Sequence, residues 1–155
     1  MRKQQNGFSL IELLIVVAII LIIAAIAIPN LLRAKIAANQ ASAVGSLRTL
    51  NTACIAYSTS YGQFPAALNN LGPVGSGGTA SSTSADLIDS VLAAGTKSGY
   101  TFTYTAGASN QSYSITAKPI TAATTGQNMY YTDQSGVIRV DTSGTGAGAS
   151  STPIG

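Results

Sequence analysis

The sequence predicts an α+β protein: a long N-terminal α-helix, apolar in its first half and amphipathic in its second, packed on a four-stranded antiparallel β-sheet. Three observations carry that expectation. Phe8 to Ile28 is a run of 21 residues in which only Ser9 and Glu12 are polar. Beyond Pro29 the apolar residues recur at helical spacing along one stripe. After Gly95 the period falls to two, with aromatic and β-branched residues alternating with threonine and serine. A chain of 155 residues has room for one domain beside the N-terminal segment.

As a helix, Phe8 to Ile28 is roughly 31 Å long at about 1.5 Å per residue. The hydrocarbon core of a bilayer is about 30 Å thick, so the segment is long enough to span it. A soluble domain has no use for a helix that is apolar on every side. Glu12 stands out, because a carboxylate in lipid costs about 2.5–3.5 kcal/mol on insertion scales. It calls for a partner. If the chain were cut after Gly7, Phe8 would carry a free α-amine four residues before Glu12, on the same helical face. In a bundle of identical helices, the amine of one chain would instead meet Glu12 of a neighbour, neutralising two charges that are each costly alone.

Gly7-Phe8-Ser9-Leu10-Ile11-Glu12, followed by the apolar run to Ala24-Ala25-Ile26-Ala27-Ile28-Pro29, resembles the N-terminus of type IV pilins. The short leader and the Phe after it look like the a-type branch. The resemblance implies that a prepilin peptidase cleaves between Gly7 and Phe8 and that Phe8 is N-methylated. It implies that Phe8 and Glu12 align identical subunits in a helical filament, built by an inner-membrane assembly platform. It also implies a single-pass precursor held by lipid in the bacterial inner membrane with its N-terminus cytoplasmic, then an extracellular pilus. Arg2 and Lys3 fit that orientation by the positive-inside bias. The expected parts are a leader (1–7), a transmembrane and filament-core helix (8–28), the amphipathic half of the helix (29–62), a globular αβ-loop and sheet (63–141) and a flexible Gly/Ser/Thr tail (142–155).

One position departs from the family pattern: Leu21 stands where many relatives carry glycine. Leu propagates helix better than Gly by several tenths of a kcal/mol, which opposes local melting there. Pro29 lacks an N–H and crowds the carbonyl of Ala25, so a helix kink is expected at Pro29. The stretch Tyr130 to Arg139 resembles the C-terminal region of the major pseudopilins of type II secretion, which supplies the alternative reading.

Ile36, Ala43, Leu47, Leu50, Cys54, Tyr57 and Tyr61 form the stripe of the second half, with Arg48, Asn51 and Thr52 among the polar residues falling mostly elsewhere. The helix is expected to run to about Ser60 and end before Gly62. Phe64 is expected to anchor the following loop to the core. Leu68 and Leu71 allow a helical turn before Gly72-Pro73, and residues 75–84 read as an exposed loop. Leu87, Val91 and Leu92 suggest a helix over Asp86–Ala94 capped by Gly95, with Asp86 and Asp89 complementing its dipole. Four strands follow, over Tyr100–Thr105, around Tyr113–Ala117, Asn128–Thr132 and Val137–Asp141, the last two joined by a turn ending in Gly136.

Composition narrows the functions. Only 8% of residues are charged, and losing Arg2 and Lys3 with the leader would leave six basic residues against five acidic. No cationic stripe remains to suggest specific nucleic-acid binding. The chain has no His, so imidazole acid–base chemistry and imidazole metal sites are excluded. Asp133 and Asp141 are too few for the six to eight oxygens that calcium takes, and read as turn residues. No cofactor or metal is expected. No nucleophile–base pair can be assembled, and the reading is not an enzyme. Cys54, alone and on the stripe, reads as a buried structural thiol. The tyrosines read as core rather than as an electron path. A cleavable secretory signal ending at Ala25-Ile26-Ala27 is the competing account of the N-terminus. Glu12 beside the apolar run argues against it.

Overall fold

The computed structural model describes residues 8–154. The expected leader, Met1–Gly7, lies outside the described residues. The chain divides between Ala34 and Lys35 into two units. A single helix, α1 (Leu10–Tyr61), contributes to both and passes through Pro29 as helix.

In the first unit, apolar side chains point outward all round α1: Leu10 is 75% exposed, Ile22 64% and Leu31 71%. Among the described residues of this unit only Ala24 is even partly covered. The segment is long and apolar enough to cross a membrane, and none of its apolar window is buried within the chain.

The second unit is built on the rest of α1. Ala43, Leu47, Leu50 and Cys54 are wholly buried there, Ile36 and Tyr57 nearly so, and Tyr61 packs at the margin. The helix stops at Tyr61 because Gly62 takes φ +75°, a left-handed conformation that glycine adopts without Cβ strain. Phe64 then meets Tyr113 edge-on, ring centroids 4.8 Å apart, and a 3₁₀ turn at Leu68–Leu71 buries both leucines.

Opposite the helix lies one antiparallel meander with strands in sequence order: β1 (Thr96–Lys97), β2 (Tyr100–Ala106), β3 (Tyr113–Pro119), β4 (Met129–Asp133), β5 (Arg139–Asp141) and β6 (Thr152–Pro153). The register aligns Phe102 with Ala117 and Ala117 with Tyr130, so one face of the sheet presents a continuous apolar surface. Those side chains share a core with Leu47, Leu50, Cys54 and Tyr57 of α1. The β4–β5 turn closes through Gly136, whose φ is +73° and whose N–H donates to the Asp133 carbonyl at 2.9 Å.

Two expectations are corrected. Among the described residues the sheet has six strands rather than four, because the two-residue β1 and β6 are too short to show a period. In β6, Thr152 and Pro153 pair with Val140 and Arg139 of β5, and Ile154 donates its N–H to the Ile138 carbonyl. The helix expected over Asp86–Ala94 shrinks to α2 (Ser90–Ala93). Asp86 has φ +56°, and the N–H groups of Ala85, Asp86, Leu87 and Ile88 donate to carbonyls of Asn70, Gly72 and Leu71. Those tertiary bonds replace the local helical ones. Asp89 is the true N-cap, accepting from the Leu92 N–H at 2.9 Å.

Candidate assembly segment at the amino terminus

The candidate site is the start of α1. Ser9 precedes the first helical residue, and its carbonyl accepts the first helical bond, from Leu13 N–H at 3.2 Å. Glu12 lies three residues on, in the first turn, where the positive end of the helix dipole favours an anion. Its Oε2 accepts a hydrogen bond from the Ser9 N–H at 2.9 Å. Ser9-Leu10-Ile11-Glu12 is therefore the glutamate half of a capping box, in which the third helical residue reaches back to the N-cap amide. The reading of the residues missed this partner, although the S-x-x-E spacing is its signal. Phe8 is 82% exposed. Among the described residues no hydrogen bond joins its nitrogen to Glu12. In the uncut chain that nitrogen is an amide rather than an amine. Gly7 lies outside the described residues.

The other residues singled out take structural places. The Asp133 carboxylate accepts from Ser135 N–H and Oγ; that of Asp141 accepts from Ser143, Thr145 and Gly146 amides. The Ser143 hydroxyl, which also donates to it at 2.6 Å, and these amide bonds hold the Asp141 carboxyl down to about 2. Each aspartate organises its own turn, and no group of three metal-ligating side chains occurs among the described residues. Burial pushes the Cys54 thiol up to about 12, which leaves it protonated and unreactive. Tyr104 stacks on Tyr113 with centroids 5.8 Å apart inside the same core.

A polar cluster that the sequence did not disclose joins α1 to the sheet. Asn51 is 6% exposed; its Nδ2 donates to Thr132 Oγ1 at 2.8 Å and its Oδ1 accepts from the Tyr113 hydroxyl at 3.1 Å. A fully satisfied buried network of this kind fixes the register of helix on sheet.

Residues 2–28 match the family described as the prokaryotic N-terminal methylation motif. The N-terminal segment thus carries that motif, and the chain is similar over part of its length to type IV major pilins and to a type II secretion core protein. The chain is 52% identical over 50 residues to the type IV major pilin protein PilA of Myxococcus xanthus, covering 32% of this chain and 23% of that protein. It is 60% identical over 38 residues to the type IV wide pilus major component PilA4 of Thermus thermophilus, covering 24% and 29%. It is 33% identical over 64 residues to the type II secretion system core protein G of Aeromonas hydrophila, covering 41% and 45%. The match thus spans less than half the length of each of these curated relatives. No solved structure matches the chain at a significant level. The prepilin motif ends at residue 28, within the helix whose apolar side chains are uncovered.

Proposed function

We propose that this chain is a structural subunit of a type IV pilus, cut between Gly7 and Phe8, N-methylated at Phe8 and polymerised through the first half of α1. The observation that carries the reading is an uncovered apolar helix coinciding with the prepilin motif over residues 2–28. Before assembly the segment 8–28 spans the inner membrane, N-terminus in the cytoplasm, with the domain outside. A helix nearly as apolar as lipid loses little by exchanging acyl chains for neighbouring helices, so extraction into a polymer is energetically accessible. Glu12 supplies register: paired with the Phe8 amine of another subunit it is satisfied, and misaligned it is not. Pro29, with no N–H to give the Ala25 carbonyl, is where the rod bends on packing. The partners are identical subunits, the prepilin peptidase and the inner-membrane assembly platform. The role is mechanical rather than enzymatic.

The second reading is the major pseudopilin of a type II secretion system. The match to core protein G favours it, since that match covers the largest share of this chain among the three relatives. Electron microscopy of native cells separates them: long surface fibres support the pilus, and a short periplasmic rod supports the pseudopilus.

The deciding test of polymerisation is Glu12→Ala. The subunit is expected to accumulate in the membrane while filaments disappear, and normal filaments would overturn the pairing. Mass spectrometry of the mature chain should find an N-methylated Phe8. A mature N-terminus beyond Ala27 would instead mean that the helix is discarded.

A further inference from the structure

We propose that Glu12 has a second, intramolecular role: it caps its own helix through the Ser9 amide, and subunit pairing must compete with that cap. The inference deepens the pilus reading and rests on it only for the competing partner. The helix starts at Leu10 with its first amides lacking intrahelical acceptors, and in a bilayer there is no water to take them. Glu12 Oε2 takes the Ser9 amide at 2.9 Å and places its charge at the positive end of the helix dipole. An acid in the first turn is thereby the residue that best closes a helix beginning in lipid. The carboxylate is engaged before any neighbour arrives.

The cap uses the Ser9 amide, which is present whether or not the bond after Gly7 is cut. Cleavage therefore does not create the first partner of Glu12. It creates the second, the Phe8 amine, and assembly exchanges or shares one for the other. Glutamine also serves at this position of a capping box, because its side-chain oxygen accepts the same bond without charge. Alanine cannot. The two substitutions thus separate capping from charge pairing.

The test is hydrogen exchange of the Ser9 amide by NMR in the uncut full-length chain in detergent micelles, where Phe8 has no free amine. Wild type and Glu12→Gln are expected to protect that amide alike, and Glu12→Ala to exchange it about fivefold faster, the equivalent of a typical cap. Equal exchange in wild type and Glu12→Ala would overturn the proposal. So would Glu12→Gln exchanging as fast as Glu12→Ala. Filament formation by the same variants in cells reports on the pairing separately: filaments from Glu12→Gln would defeat charge pairing and leave the cap standing.

Discussion

The two halves of α1 share one backbone geometry and opposite surroundings. From residue 8 to Ala34 every side chain but Ala24 is exposed, while from Ile36 onward a stripe of the same helix is buried to the last square ångström at Ala43, Leu47, Leu50 and Cys54. Hydrophobicity does not separate them, since the exposed half is the more apolar. What separates them is the partner. The second half has its own sheet to lie against. The first half presents its apolar surface outward, as a segment does whose solvent is lipid or other helices.

That contrast can be broken most forcefully in the core. Leu50→Ala should destabilise the domain by about 2–5 kcal/mol, since it removes a fully buried side chain and leaves a cavity. Leu21→Ala, on the 63%-exposed side chain of the first half, should leave the domain's thermal unfolding in detergent unchanged. A shared drop in melting temperature would mean that both halves belong to one cooperative unit.

A smaller effect sharpens the comparison within the second half. Asn51→Ala strands the Tyr113 hydroxyl and Thr132 without their partner, at a cost of about 1–3 kcal/mol. Its signature is specific: amide exchange should quicken in β4 and β5 before it does in β2. Uniform quickening would assign Asn51 to general packing.

The smallest effect is on pH. Asp141 and Asp89 are held below the ordinary carboxylate value, by the hydrogen bonds of the 141–146 turn and by the α2 amides with Lys97. Groups depressed in the fold add stability that is present above their unfolded value of about 4 and lost as pH falls toward the folded one. Stability should therefore be level at neutral pH and decline gently from about 4 downward. Burial raises Tyr100 to about 12. That contribution is complete below the unfolded value of about 10 and lost between there and about 12. Urea titrations across pH would show a plateau with two shoulders; a loss near neutrality would contradict both assignments.

Legibility followed the strength of the local period. The stripe from Ile36 to Tyr61 and the alternation in β2 and β3 were readable because many residues repeat one spacing. Asp86–Ile88 was not, because its backbone amides are taken by Asn70, Leu71 and Gly72, which are distant from any local pattern. Strands of two residues carry no period at all. Asn51 hid for the opposite reason: a polar side chain on a helix reads as solvent-facing unless its partners, 62 and 81 residues away, are known. At the amino terminus, the need of Glu12 for a partner was legible. The Ser9 amide, a nearer partner that needs no cut in the chain, was signalled only by the S-x-x-E spacing.

The outermost strands have one more consequence. Both rims of the sheet are only two residues long, one carrying Lys97 and the other Pro153, whose ring nitrogen has no hydrogen to give. Short, charged or proline-bearing rims are poor templates for another molecule's strand. Edge-to-edge pairing between copies is thereby disfavoured, which leaves the apolar first half of α1 as the larger uncovered surface.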